Sequence, residues 1–342
     1  MKHNFLLVFL LLSLGCARVQ TLNLNPHLYS ETPVQVLWIQ LAGFSEEHIP
    51  LLKFNIADAA FKTNIEQVDC VGKMWSFNLF KLRPNASNSF MSQMAGTKNI
   101  NGSCTDYERA PLWLKLEDAG YKVSILESGA LGNQTLENAM SCSNNKFIDL
   151  NKVRLFLMGP EINSSKKTFH YQDPQEQVET YKEPGLYYDR SCQKGTCYSS
   201  LSNNFKSLWQ QWIKSFDQNF VILRDFNFQK ALLKKDLSMA RETLQEIDRL
   251  VGEIRKNKNV LIVISGAESL PIEFPLQGKE WVEFERSGRN ILYKNSTLTS
   301  PVLAQGPMSE NFCGIFEEVE MYNRLIYRPE GKKFSWDNLK PF

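Results

Sequence analysis

Two short, almost uninterrupted apolar runs constrain the fold more than any other feature of this chain. VQVLWIQL covers positions 34–41 and NVLIVI covers positions 259–264, and each has the length of a single strand. Runs without polar alternation are typical of strands that are buried on both faces. Shorter apolar runs at 121–126, 153–158 and 220–223 alternate with helical patterns. The sequence therefore predicts an α/β fold with a doubly wound, mainly parallel sheet and helices on both faces.

The predicted helices lie between these strands. Helical patterns cover 45–60, 89–94, 110–119 and 232–254, and Gly96 follows the second of them as a helix-terminating residue. The last pattern is the longest and carries an apolar stripe at helical spacing. The stripe consists of Leu233, Leu237, Ala240, Leu244, Ile247 and Val251.

The composition fits one large folded domain. The chain has 342 residues, of which 43% are hydrophobic, and its formal net charge is only +2. Basic residues are dispersed, so nucleic-acid binding is not expected. We place the domain at 33–330, with a polar insertion at about 159–202 and a C-terminal tail at 331–342.

The first residues have the pattern of an export signal. Lys2 precedes an apolar stretch, Phe5–Leu14, which is too short to span a membrane and suits the core of a signal peptide. The stretch ends in LSLGC, which resembles a bacterial lipobox with Cys16 as the lipidated residue. This predicts a signal peptide at 1–15, a lipid-anchored tether at 16–32 and a location at the outer membrane of a cell envelope. The alternative is an ordinary secretory signal that is cleaved nearby, with Cys16 incidental.

The cysteine count agrees with export. Without Cys16, six cysteines remain, an even number that permits three disulfides with fifteen possible pairings. Cys192 and Cys197 enclose a short Gly-containing loop, CQKGTC, and are the expected local pair. The other candidates are Cys70, Cys104, Cys142 and Cys313.

Four separated segments together resemble the alkaline phosphatase superfamily, which includes sulfatases and phosphodiesterases. VLWIQLAGFSEEHIP is similar to its opening strand, and NASNSFMSQMAGTKN to the helix that carries its nucleophile. LQEIDRLVGEIRKNKNVLIVISGAE is similar to its long helix and last central strand. SPVLAQGPMSENFCGIFEEVEMYNRL is similar to its closing strand, Gly-Pro turn and following helix. The resemblance implies an alkaline-phosphatase-like fold across nearly the whole mature chain.

The same resemblance indicates that the catalytic residues are missing. These enzymes hold divalent metals with several Asp and His residues and attack with a Ser, Thr or modified Cys. Here Ala42 stands in place of the first-strand Asp, and Ala86 in place of the nucleophile. Gly266 and Ala267 stand in place of the Asp-His pair after the last central strand. Only Asp225 corresponds to a metal ligand of the family, so we expect no metal and no other cofactor.

The small number of histidines is an independent argument against a two-metal site. Removal of the signal leaves only His27, His48 and His170. None of them follows a predicted strand end, and we expect each of them at the surface. A two-zinc site of this kind needs about three converging histidines.

Other residues could supply weaker chemistry. Ser87 is one position from the nucleophile, but without a metal or base its hydroxyl stays protonated. Ser89 and Ser92 are expected to face solvent or to bond to the preceding turn. Glu268 and Glu273 could act as an acid/base pair, although both are expected in an exposed loop.

These patterns favour a catalytically inactive, lipid-anchored member of the superfamily. We expect it to act as a binding or scaffold protein in the cell envelope, with the membrane and an envelope protein or glycan as partners. The alternative is a residual metal-dependent hydrolase of phosphate or sulfate esters that uses relocated ligands such as Asp225, Glu268 and Glu273. A third interpretation is a purely structural lipoprotein.

Overall fold

The computed structural model describes most of the chain between residues 33 and 326. The described residues are 33, 35–53, 62–102, 106, 111–130, 132–136, 152–159, 169–171, 183–192, 197, 200–215, 218–276 and 278–326. By their backbone contacts, all described residues belong to one compact unit, Thr32–Arg328. Among them, no helix is both long and apolar enough to cross a membrane.

A ten-stranded sheet forms the centre of the fold, in the order β12-β2-β11-β8-β1-β7-β3-β4-β6-β5. The strands are β1 (Gln35–Ala42), β2 (Cys70–Trp75), β3 (Lys122–Ser128), β4 (Arg154–Met158), β5 (Phe169–Tyr171), β6 (Gly185–Asp189), β7 (Asn219–Asp225), β8 (Val260–Ala267), β11 (Thr299–Gln305) and β12 (Gly314–Glu317). β9 (Ile272–Glu273) and β10 (Leu292–Tyr293) form a separate antiparallel pair. Only β11 runs antiparallel to its neighbours in the main sheet. The predicted α/β fold with a mainly parallel sheet is confirmed.

Helices cover both faces of the sheet. The α-helices are α1 (Ala86–Ala95), α2 (Leu112–Asp118), α3 (Leu201–Ser215), α4 (Asn227–Leu233), α5 (Leu237–Ile254), α6 (Lys279–Ser287) and α7 (Met321–Ile326). Alternate residues of β1 point to opposite faces, so Leu37 joins one core with α3, α4 and α5. Trp38 joins the other core with α1, α2 and α7. This arrangement explains why β1 has no polar alternation in its sequence.

Helix α1 has clear signals at both ends. The side chain of Asn85 accepts a hydrogen bond from the Asn88 N–H at its start. Gly96 ends it with a left-handed φ of 62°, and a Cβ there would lie 2.9 Å from Tyr322. The predicted helix 89–94 is therefore correct in place but too short.

Two predicted helices differ from the structure. The single helix 232–254 is interrupted at 234–236, because Asp236 caps α5 by accepting a hydrogen bond from the Met239 N–H. The α-helix expected from residue 45 is instead a 3-10 helix, Glu46–Lys53, which contains Pro50. Residues 54–60 of that prediction lie outside the described part.

Two disulfides lie in the described part of the chain. Cys192 pairs with Cys197, as predicted, and Cys70 pairs with Cys313 across 243 positions. The second bridge joins the start of β2 to the residue before β12, at one edge of the sheet. The opposite edge of the sheet is formed by β6 and β5, so the segment 159–202 contributes strands to the main sheet. Cys16, Cys104 and Cys142 lie outside the described residues.

Candidate functional site

The carboxyl ends of three adjacent parallel strands meet the start of α1. Ala42, Asp225 and Ala267 are the last residues of β1, β7 and β8, and Ala42 lies directly opposite Ala267 in the sheet register. Ala86 is the first residue of α1. In α/β sheets such as this one, ligands bind at the carboxyl edge. The structure therefore brings together three positions that the sequence marked as degenerate, Ala42, Ala86 and Ala267, and the residual candidate Asp225.

This edge is filled by a small apolar cluster. It consists of Ala42, Ala86, Phe90, Ala130, Phe226 and Ala267, all of them buried. The rings of Phe90 and Phe226 meet edge to face, with their centroids 5.4 Å apart. Because α1 supplies Phe90 and the end of β7 leads into Phe226, the two rings close over the alanine methyl groups. None of the six side chains can coordinate a cation or bond to an oxyanion.

A buried ion pair lies next to the apolar cluster. The Arg224 guanidinium is 5.4 Å from the Phe90 ring and 5.5 Å from the Phe226 ring, and its Nη1 is 3.0 Å from Glu127 Oε2. The carboxylate of Glu127 also accepts the Leu136 N–H at 3.1 Å. The pair was not predicted from the sequence, although Arg224 directly after the apolar run 220–223 is a visible signal. Arg224 is thus held by a carboxylate and two aromatic rings.

Glu268 occupies the amino end of α1. Its Oε2 accepts hydrogen bonds from the Ala86 N–H at 2.8 Å and from the Gln229 side-chain amide at 2.7 Å. The residue is half-buried and has a left-handed φ of 48°, a strained conformation for a side chain of this size. The expectation of an exposed loop carboxylate is therefore wrong. A carboxylate of the chain itself holds the position at which a helix N-terminus attracts anions.

Asp225 is fully buried, and other groups of the chain engage its carboxylate. It accepts the Phe228 N–H at 3.0 Å and the Asn227 amide at 3.2 Å. Burial raises the pKa of Asp225 to about 6, and these hydrogen bonds offset part of the effect. Nearby, Lys230 Nζ donates to the Gly129 carbonyl, and burial lowers the pKa of this lysine. The carboxylate is thus committed to the turn that starts α4.

The remaining candidates do not converge on one point. Ser87 is the second residue of α1 and is half-buried. Glu273 lies in β9 and pairs with Lys294 at 2.7 Å. Gly266 accepts a hydrogen bond from the Gln93 amide at 3.0 Å through its carbonyl. A Cβ at position 266 would lie 2.7 Å from the Phe44 carbonyl oxygen, so a larger side chain does not fit there.

His48 corrects the prediction of a surface histidine. It is completely buried, and its Nδ1 accepts the Ser45 N–H at 3.0 Å. Its ring packs edge to face on Phe228, with centroids 5.0 Å apart. Burial lowers the pKa of His48 to about 4, so the ring is neutral at physiological pH. His27 and the side chain of His170 lie outside the described part.

Ser89 and Ser92 are also buried and do not face solvent, because α1 packs against the 3-10 helix Glu318–Glu320 and α7. With Ser76, Gln93 and Glu318 they form a polar pocket that we call the Glu318 chamber. Neither oxygen of the Glu318 carboxylate has a partner with hydrogen-bond geometry among the described residues. Burial raises the pKa of Glu318 to about 8. Sequence analysis gave no signal for this chamber.

The residues present do not fit the divalent metals that the resemblance implies. Over the described ranges, no group of three or more His, Cys, Asp or Glu side chains is placed to hold a metal ion. At the carboxyl edge, Asp225 and Glu268 already accept hydrogen bonds from the chain, and Ala42 and Ala267 offer only methyl groups. A two-metal hydrolytic site needs several convergent oxygen and nitrogen ligands.

Solved structures show which fold this is. Alkaline phosphatase from the Antarctic bacterium TAB5 superposes with a TM-score of 0.63 at 14% identity, covering 87% of this chain and 98% of that one. The Thermus thermophilus enzyme gives a TM-score of 0.67 at 10% identity, covering 86% and 91%. The lipoteichoic acid synthase LtaP of Listeria monocytogenes gives 0.50 at 11% identity, covering 87% and 72%. The chain therefore has the same fold as these alkaline phosphatases.

Sequence comparison alone does not reveal this relationship. No family model matches the chain, and no curated protein is significantly similar to it. The four resembling segments fall on β1, α1, α5 with β8, and β11 with the residues up to α7. The fold predicted from these segments is confirmed. What the carboxyl ends of β1, β7 and β8 can bind depends on the residues that lie there.

Proposed function

We propose that this chain is a catalytically inactive protein with an alkaline phosphatase fold, which acts as a binding or scaffold protein in the cell envelope. The export pattern of the first sixteen residues supports the location. The disulfides Cys70–Cys313 and Cys192–Cys197 agree with an oxidising compartment. The fold then serves as a scaffold whose strand ends carry a binding surface in place of a reaction site.

The observation that carries this proposal is the apolar cluster together with Glu268. Restoring metal binding requires oxygen or nitrogen ligands where Ala42 and Ala267 pack against Phe90 and Phe226. An incoming phosphate or sulfate would also meet the Glu268 carboxylate at the amino end of α1. Two like charges at one helix end repel each other, so the edge disfavours the substrates of a phosphatase.

The rival function is a residual hydrolase that uses Asp225, Glu268 and Glu273. The raised pKa of Asp225, about 6, is the one observation in its favour, because a general acid needs such a value. Asp225 is, however, completely buried, and Glu273 is paired with Lys294.

Metal dependence separates the two functions. We expect the purified protein to contain no stoichiometric zinc, manganese or magnesium, and to hydrolyse neither 4-nitrophenyl phosphate nor 4-nitrophenyl sulfate. Because a ligand that does not bind the native state cannot shift unfolding, excess EDTA should leave the melting temperature unchanged. A fall of several degrees with EDTA, or turnover that is lost in Asp225→Asn, contradicts the proposal.

Site-directed photo-crosslinking tests the binding role. A photoreactive residue at Gln134, which follows β3 at the carboxyl edge, is compared with one at Lys258, which precedes β8 at the opposite edge. We expect a defined adduct in envelope preparations from the Gln134 position and none from the Lys258 position. Adducts from neither position favour a purely structural role.

A further inference from the structure

A short turn between β2 and α1 exposes three large apolar side chains. Leu79, Phe80 and Leu82 are 70%, 55% and 75% exposed, and they alternate with the exposed cations Lys81 and Arg83. We call residues 79–83 the apolar-basic turn. Large apolar groups concentrated on one surface feature mark an interaction site more often than isolated ones do.

The turn is held in a fixed shape by its own hydrogen bonds. The buried Asn78 side chain accepts the N–H groups of Phe80 at 2.9 Å and Lys81 at 2.7 Å. It also donates to the Ile100 carbonyl at 3.0 Å, and the Leu79 N–H donates to the Lys98 carbonyl at 3.0 Å. The apolar side chains are therefore presented on a preorganised backbone, which lowers the entropy cost of binding.

The segment of sequence that contains the turn carries charges of one sign. Positions 70–105 contain four basic residues and no acidic residue. Lys73 pairs with Glu46 and Lys98 with Glu317, whereas Lys81 and Arg83 have no ion pair within the described part of the chain. A surface that combines protruding apolar groups with unneutralised cations is complementary to an apolar medium bounded by negative charge.

We propose that the apolar-basic turn inserts into the interface of an anionic lipid bilayer. Leu79, Phe80 and Leu82 would enter the boundary between headgroups and acyl chains, while Lys81 and Arg83 would reach the phosphate groups. A stable protein partner needs roughly 600 Å² or more on each side, which one five-residue turn does not offer. Membrane binding has no such threshold, because it grows with the apolar area inserted.

A second exposed apolar set provides a matched control. Leu276, Val282 and Leu292 are 90%, 52% and 63% exposed, so their total exposure is similar. Val282 lies in α6, which has three acidic and two basic residues, and this net negative charge opposes contact with anionic lipid. The proposal therefore predicts that only the first set binds such a membrane.

Vesicle flotation tests the proposal in the full chain that carries Cys16→Ser, so that no lipid anchor contributes. The parent is compared with Leu79→Ser/Phe80→Ser/Leu82→Ser and with Leu276→Ser/Val282→Ser/Leu292→Ser, on phosphatidylcholine vesicles with and without phosphatidylglycerol. We expect the first triple variant to bind mixed vesicles roughly 100-fold more weakly. The second should bind like the parent, and unfolding midpoints confirm that each variant is folded.

The charges are tested separately. Lys81→Gln/Arg83→Gln should weaken binding about fivefold per charge at low salt and lose its effect at high salt. Lys256→Gln/Lys258→Gln, at the amino end of β8, should leave vesicle binding unchanged. Equal losses in both triple variants, equal binding to vesicles without phosphatidylglycerol, or no vesicle binding by the parent would each overturn the proposal. In the last case, a protein adduct from a photoreactive residue at Leu82 would identify a protein surface instead.

Discussion

Glu318 should make the stability of this protein fall as the pH rises through neutrality. Glu318 is the first residue of the 3-10 helix Glu318–Glu320, and its carboxyl group is completely buried in the Glu318 chamber. The groups that surround it, Ser76, Ser89, Ser92 and Gln93, are all neutral. Because burial disfavours the charged form, its pKa rises from 4.5 to about 8 in the folded protein. The folded protein then keeps a proton that the unfolded chain releases.

The magnitude follows from linkage. The contribution of Glu318 to the free energy of unfolding is greatest below its unfolded pKa of 4.5. It decreases by about 1.36 kcal/mol per pH unit until the folded pKa is reached. Asp225, with a folded pKa of about 6, acts in the same direction but below neutrality. His48, with a folded pKa of about 4, acts oppositely, and its contribution is complete near pH 6.5. Of these three groups, Glu318 is the one that titrates between pH 6.5 and 8, and its contribution to stability falls by about 2 kcal/mol over this range.

Urea unfolding of the parent and of Glu318→Gln at pH 6.5, 7.25 and 8 tests this reasoning. Gln has the shape of a neutral carboxyl group, so the variant should be nearly independent of pH in this range while the parent loses about 2 kcal/mol. If the variant does not fold, infrared spectroscopy of the parent should still detect the C=O stretch of a protonated carboxylic acid at neutral pH. Parallel pH profiles for parent and variant, or no such band, would refute a protonated Glu318.

Three further outcomes are expected. Cys16→Ser should release the protein from membranes after a carbonate wash, which also strips contacts of the apolar-basic turn, and a variant that still pellets would contradict lipidation. Replacing Cys70 and Cys313 by Ala should cost about 2–5 kcal/mol in urea unfolding, whereas replacing Cys192 and Cys197 should cost less because their bridge closes a loop of only 5 positions. Glu268→Ala should cost about 1–2 kcal/mol because the Ala86 N–H and the Gln229 amide lose their acceptor, with a smaller loss in Glu268→Gln. A Glu268→Ala variant as stable as the parent would show that this carboxylate does not cap α1.

The sequence was most informative where burial is uniform. β1 and β8 lie between helices on both faces, so their positions are apolar without alternation and could be located directly. β2 was missed because its pattern alternates and Gly72 interrupts it. A Cβ at Gly72 would lie 2.2 Å from the Phe312 carbonyl oxygen, a contact that no local pattern reveals. β12 is only four residues long, and it pairs with the distant strand β2, to which the bridge Cys70–Cys313 joins it.

The candidate site divides in the same way. The positions of Ala42, Ala86 and Ala267 were predicted from the resemblance, because Ala42 and Ala267 follow apolar runs and Ala86 lies ten residues before the helix-terminating Gly96. The residues around them could not be predicted, since Phe90 meets Arg224 and Phe226 only after two distant segments have packed together. His48 and Glu318 illustrate the same limit, because polar residues are assumed to be exposed until tertiary packing covers them.

The apolar cluster also determines what a single reversion can achieve. In Ala42→Asp, a carboxylate would replace a fully buried methyl group beside Phe90 and Phe226, where Arg224 is already paired with Glu127 and Ala267 offers no metal ligand. Burying an unpaired charge costs several kcal/mol, so the variant should unfold at lower urea concentration than Ala42→Asn, which has a similar volume and no charge. Zinc should not rescue its stability, and phosphate-ester turnover should stay absent, because Gly266 has no room for a second carboxylate below the Phe44 carbonyl. Zinc-dependent stabilisation of Ala42→Asp by more than its effect on Ala42→Asn would show that the edge retains a metal site and that the cluster is not what prevents catalysis.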